Sequence, residues 1–202
     1  TQRGDDSNPV IFLYTGSMGG FRSARSLLLA LKQGLSSGRL SPDEIRVLFV
    51  GTNSPDLWGK RLEDYIQELG LQAIVEIKQP VPYGEILRLQ AQADVLLAFK
   101  GYGETLQRGA IPSKIFHYLG ANKPILALAP PDSAMWDFIN RTGAGVCADP
   151  EDLDDIVTKV ETLVRTRGTQ LSRNETEICQ YSYLEQTRRL AELLTKVADE
   201  QR

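Results

Sequence analysis

Short, largely apolar runs alternate with amphipathic stretches along nearly the whole chain, and this alternation constrains the fold more than any other feature. Val10–Thr15 (VIFLYT), Ile45–Val50 (IRVLFV), Ile74–Ile77 (IVEI), Val95–Phe99 (VLLAF), Ile125–Ala129 (ILALA) and Gly145–Ala148 have the length of strands and little polar patterning. A strand apolar on both faces is buried on both faces, so it needs helices above and below the sheet. The intervening segments supply them. Helices are expected over Arg22–Gln33, Asp56–Leu69, Tyr83–Ala93, Ser113–Leu119, Ala134–Arg141 and Glu151–Arg165, with Gly70 and Gly120 as stops. A last helix, Leu184–Glu200, carries Leu184, Leu190, Leu193, Leu194 and Val197 at helical spacing. Right-handed crossovers then give an α/β fold, a doubly wound parallel six-stranded sheet with helices on both faces. Ligands of such sheets bind beyond the carboxyl ends of the strands, where the strand order reverses.

The 202 residues suit one domain. Residues 1–9 open with the polar TQRGDDSN and read as a linker or boundary, leaving 10–202 as the folded unit. A net charge of -3 offers no basic face for nucleic acid. A single histidine and two widely spaced cysteines, Cys147 and Cys179, do not make a zinc site, and no metal is expected. No apolar run reaches the length of a transmembrane segment.

Two segments carry chemistry. The first strand runs into Gly16-Ser17-Met18-Gly19-Gly20-Phe21-Arg22, where glycines let the backbone approach a ligand and the following helix start offers amides to a phosphate. Arg22 can add a bidentate contact to phosphate oxygens. A cation at a helix start is mildly unfavourable without an anion, so a solvated arginine is the less attractive alternative. The loop is neither a dinucleotide-binding G-x-G-x-x-G nor a P-loop. Gly51-Thr52-Asn53 stands where an acid would hold a nicotinamide ribose. The second segment is Lys100–Ala129, KGYGETLQRGAIPSKIFHYLGANKPILALA, a polar loop running into a helix with Pro112 and Ser113 at its start. Lys114 lies in the first turn, and His117 and Tyr118 a turn later. Alone, Lys114 would be an exposed lysine and His117 a packed helix histidine. Their place beside the strand ends raises both.

IPSKIFHYLGANKPILA resembles P-x-K-[hydrophobic]-[FL]-E-Y-L-x-x-x-K-P-[IV]-[LI]-A, a pattern of the donor-binding domain of GT-B glycosyltransferases in the large retaining family numbered four. YTGSMGGFRSARSLLLAL, VPYGEILRLQAQADVLLAF and TGAGV followed by DPED are similar, in order, to other segments of that family, so the likeness spans about Val10 to Val197. The resemblance implies one Rossmann-like half of a GT-B fold, with the N-terminal acceptor domain absent. It implies that the glycine loop (Gly16, Gly19, Gly20), Arg22, Ser113 and Lys114 hold the donor diphosphate. Pro80, Val81 and Pro82 would wall the nucleobase, and His117 would reach the ribose. The family has glutamate at the position of His117, and many relatives have another at that of Gly109. Glu104 in the same loop is the weak substitute. The implied function is transfer of a sugar from a UDP-, GDP- or other nucleoside-diphosphate sugar to a hydroxyl with retention, with no cofactor. The setting would be bacterial polysaccharide or glycolipid synthesis, with a polysaccharide or lipid-linked acceptor. The protein would be cytoplasmic, membrane-peripheral only through the missing half, onto which the last helix would pack. A nucleotide-sugar epimerase and a non-catalytic nucleotide-binding module remain as alternatives.

Overall fold

The computed structural model describes residues 8–20, 22–101, 109–169 and 172–200. In chain order the elements are β1 (Val10–Thr15), β2 (Met18–Gly20), α1 (Arg25–Ser36), β3 (Ile45–Val50), β4 (Asn53–Asp56), α2 (Leu62–Leu69), β5 (Val75–Lys78) and α3 (Tyr83–Gln92). They continue with β6 (Val95–Phe99), α4 (Lys114–Ala121), β7 (Ile125–Leu128), α5 (Ala134–Thr142), β8 (Gly145–Ala148), α6 (Leu153–Thr166), α7 (Glu175–Cys179) and α8 (Tyr183–Glu200).

The six apolar strands pair in parallel in the order β5-β3-β1-β6-β7-β8. The chain winds outward from β1 through β3 to β5. It then returns to place β6 against β1 and winds the other way through β7 to β8. The reversal therefore lies between β1 and β6, where Phe12 meets Val95 and Leu13 meets Leu96. Strand alternation divides the apolar side chains between two layers. Phe12, Tyr14, Val47 and Phe49 face Leu27, Leu28 and Leu31 of α1 and Ile156 and Val160 of α6. Leu13, Leu96 and Ile125 face Ile115 and Tyr118 of α4 and Met135, Phe138 and Ile139 of α5.

The expected six-stranded sheet forms, but three expected helices begin late, the one expected from Glu151 only by two residues, at Leu153. The helix expected from Arg22 starts at Arg25, because Arg22 and Gly19 exchange backbone hydrogen bonds of 3.1 and 2.9 Å. The helix expected from Asp56 starts at Leu62, because Asn53–Asp56 instead pairs with Met18–Gly20 as a separate two-stranded ribbon. Further on, α4 runs through Gly120 to Ala121, and Asn122, with φ 53°, makes the left-handed cap expected of Gly120. Helix α7 has no counterpart among the expected elements. Both cysteines are free, Cys147 buried and Cys179 exposed. Helix α8 forms as expected, and its apolar stripe stands in solvent: Leu184 is 82% exposed and Leu194 62%. None of the described helices is long and apolar enough to cross a membrane.

One close approach ties the two turns at the carboxyl edge together. Gly51, just after β3, has φ 144°, and a Cβ there would lie 2.1 Å from the Gly16 carbonyl oxygen. Replacing Gly51 by alanine adds backbone strain to a collision that no rotamer can relieve. We expect Gly51→Ala to cost roughly 2–4 kcal/mol, seen as a clear fall in the thermal unfolding midpoint. An unchanged midpoint would mean that the two turns are not held this closely.

Candidate functional site

The last residue of β1, Thr15, stands at the reversal and is fixed from three directions. Its amide donates to the Tyr118 hydroxyl at 3.2 Å, and its own hydroxyl lies 3.2 Å from the same oxygen. Gln90, buried on α3, donates to the Thr15 hydroxyl at 3.2 Å. Lys114, the first residue of α4, donates its ammonium to the Thr15 carbonyl at 2.8 Å. Groups this buried are costly unless bonded, and here each is bonded to another. The end of β1 is thereby locked to α3 and α4.

Lys114 is the unusual member. Its Nζ sits 3.6 Å from the centre of the Tyr14 ring, whose negative face attracts a cation. A Cβ on Gly16 (φ 120°) would come within 3.0 Å of that nitrogen, so the first glycine of the loop leaves the space that the ammonium occupies. Burial, reinforced by the nearby Arg22 charge, pushes the Lys114 ammonium down to about 7. Burial likewise pushes the Tyr14 phenol up to about 12, so it stays protonated. Its hydroxyl donates to the Ser17 carbonyl at 2.7 Å, which pins the glycine loop over the ring.

Beyond these groups lies a cavity of about 190 Å³ at the carboxyl edge of β6. Arg22, Ser113 and Lys114 line it together, with Phe99, Lys100 and Pro112 completing much of the wall. The described lining contains no acidic residue. Three of the residues expected to hold a diphosphate therefore meet on one cavity. Arg22 gets there from an exposed turn three residues before α1, not from a helix start. Ser113 stands at the start of α4, but its side chain makes no capping hydrogen bond and its backbone is already helical. The first turn closes on itself, with the Ile115 amide on the Pro112 carbonyl at 3.0 Å and the Phe116 amide on the Ser113 carbonyl at 3.2 Å. Lys100 lines the cavity without having been expected there. A lysine after an apolar strand looks like any solvated lysine until the sheet order places it at the reversal.

The other expected residues lie apart from this cavity. Gly19 belongs to a small crevice under the β2–β4 ribbon that Arg22 also lines. Gly20 is in the same ribbon, paired with Asp56. Val81 packs into the second core layer and Pro80 is exposed in the turn before α3. His117, exposed on α4, faces Tyr83 edge-on at 6.5 Å between ring centres. Gly109 is exposed, with no described atom within 4 Å of a would-be Cβ. Glu104 lies outside the described residues.

No protein-family model matches the chain, and no curated protein matches its sequence. Solved structures do match its fold. It superposes on the lipopolysaccharide outer core galactosyltransferase WaaB in its apo form with TM-score 0.66 and 18% identity, covering 96% of this chain and 51% of that one. With Anabaena Alr3699/HepE in complex with UDP and glucose the TM-score is 0.64 at 17% identity, covering 97% of this chain and 53% of that one. With the trehalose-6-phosphate synthase OtsA it is 0.61 at 12% identity, covering 88% and 40%. The chain thus spans about half the length of the proteins it resembles. It has the Rossmann-like fold of one half of a GT-B glycosyltransferase.

Proposed function

We propose that this chain is the donor-binding half of a retaining GT-B glycosyltransferase of the family numbered four, taking its sugar from a nucleoside diphosphate. The observation that carries this reading is the meeting of Arg22, Ser113 and Lys114 on one cavity at the strand-order reversal, with no acid in its described lining. A diphosphate is the ligand such a lining suits, since it gathers the cationic side chains of Arg22, Lys100 and Lys114 with no acid among its described residues. The bound UDP and glucose of the HepE structure, which shares this fold, support a nucleoside diphosphate sugar as that ligand.

In this reading Arg22, Lys114 and the positive end of the α4 dipole neutralise the charge that builds on the departing diphosphate as the glycosidic bond breaks, a role that needs no metal ion. Gly16 leaves room for the Lys114 ammonium beneath the loop, and Gly19 and Gly20 shape the ribbon that carries Arg22 to the cavity. His117 hydrogen-bonds the ribose, and Pro80 and Val81 border the base. An N-terminal half supplies the hydroxyl acceptor, with α8 packed against it, in cytoplasmic assembly of a bacterial polysaccharide or glycolipid. A second reading, a nucleotide-binding module without turnover, draws on His117 and Gly109, which stand where the family pattern has carboxylates.

Calorimetry with UDP, GDP and ADP tests the site. One nucleotide binds, and Arg22→Ala or Lys114→Ala weakens it by about ten-fold or more, the loss of one charge-assisted hydrogen bond. Failure of all three to bind, both to this chain and to a protein that includes the N-terminal half, would remove the donor-site reading. Product analysis on that longer protein separates transfer from epimerisation and from mere binding.

The Lys114 ammonium gives opposite pH dependences to stability and affinity. Its folded value is about 7 against 10.5 in the unfolded chain. Between these values the unfolded chain holds a proton that the folded chain lacks, so stability rises with pH over this window. Affinity for a diphosphate needs the ammonium, so it falls as pH climbs through about 7. Thermal unfolding and calorimetry across this window should show the opposed slopes, and Lys114→Met should flatten both. Slopes of the same sign would contradict the buried-ammonium picture.

A further inference from the structure

The turn between β4 and α2 is built with more hydrogen bonds than its length requires. The Asp56 carboxylate accepts from the Ser23 hydroxyl at 2.9 Å, the Tyr65 hydroxyl at 2.9 Å, the Trp58 amide at 2.9 Å and the Lys60 amide at 3.2 Å. Burial pushes this carboxyl upward, but the hydrogen bonds outweigh it and hold the group below the usual carboxylate range. The backbone closes as well, Asp56 N–H on the Lys60 carbonyl at 2.8 Å and Gly59 N–H on the Asp56 carbonyl at 3.0 Å. What this rigid turn holds up is apolar and wet: Leu57 is 54% exposed and Trp58 62%. Neither belongs to either core layer. The Arg25 guanidinium covers one side of the indole at 5.2 Å and fixes its orientation.

The turn also borders the candidate site. Asp56 pairs with Gly20 across the ribbon, and Arg22 lines both the crevice beneath the turn and the acid-free cavity. The surroundings select the ligand. Arg25, Lys60 and Arg61 are matched by Glu63, Asp64 and Glu68, with Lys60 paired to Glu68 at 2.6 Å, so no surplus charge attracts an anionic lipid or nucleic acid. Two apolar side chains are far short of the roughly 1,200 Å² that a specific protein interface buries. A pre-oriented indole, 62% exposed and with the Arg25 guanidinium over its ring, fits a small neutral ligand with one apolar face and a polar edge, which describes a pyranose.

We propose that Trp58, backed by Arg25 and held by Asp56, is a stacking platform for a neutral sugar ring. Sugar binding here rests on the geometry of this turn and is independent of the donor-site reading above.

The experiment uses a Trp136→Phe background, which leaves Trp58 as the sole tryptophan. Glucose, galactose and N-acetylglucosamine are titrated while indole fluorescence is read, and UDP binding is followed by calorimetry in parallel. We expect a saturable change with at least one sugar, in the millimolar range. With both tryptophans present, the same sugar followed by ligand-observed NMR should bind wild type and lose binding in Trp58→Ala, with several-fold weakening in Arg25→Ala. UDP affinity should be the same in Trp58→Ala as in wild type, because the indole lies outside the phosphate cavity. No saturable response to any of these sugars overturns the platform, and so does a blue shift with phosphatidylglycerol vesicles in place of a sugar response. Sugar binding without binding of UDP, GDP or ADP, to this chain or to the longer protein, leaves the platform standing and removes the donor-site reading.

Discussion

Everything at the carboxyl edge of this sheet depends on a lysine ammonium that has been taken out of water. Lys114 bridges the start of α4 to the end of β1, with its Nζ shared between the Thr15 carbonyl and the Tyr14 ring. Removing an ammonium from water is costly, and one carbonyl and one ring face return only part of its solvation. A charge in that condition gains more from an anion than a solvated lysine would, since less water has to be displaced. The protein has thus placed the cost of assembling the site in the fold itself, before any ligand arrives.

The expense is tolerable because the surroundings are rigid. Tyr118 and Gln90 clamp Thr15 from α4 and α3, and Tyr14 pins the glycine loop through Ser17. None of these side chains reaches into the cavity wall, yet they fix where the carbonyl and the ring face lie. Gly16 completes the arrangement by having no side chain to compete for the space under the loop.

The sheet was legible in the sequence because a strand buried on both faces has nowhere to put polar residues, and VIFLYT, VLLAF and ILALA show it openly. That Arg22, Ser113 and Lys114 meet on one cavity was legible from the glycine turn after the first strand and from the Pro-Ser-Lys start of α4. The β2–β4 ribbon was not. Asn-Ser-Pro-Asp carries no strand propensity, and it is extended only because Met18–Gly20 lies alongside. Asp56 was read as the opening of a helix, the usual meaning of an acid before an apolar-periodic stretch. Its partners Ser23 and Tyr65 sit 33 and 9 residues away and exert no local signal. Lys100 and Trp58 escaped notice for the same reason: only tertiary placement distinguishes them from ordinary surface residues. His117 and Pro80 could be found by pattern but not positioned by it.

The C-terminal helix has a bearing on where the structure opens first. Helix α8 spans 18 residues, buries none of them, and is laced by ion pairs from Glu185 to Arg188 and Arg189. With no side chain buried, it relies on helical propensity and these surface pairs in place of the packing that stabilises most protein helices. Its backbone amides should therefore exchange with solvent well ahead of those in the sheet, since no tertiary packing resists their opening.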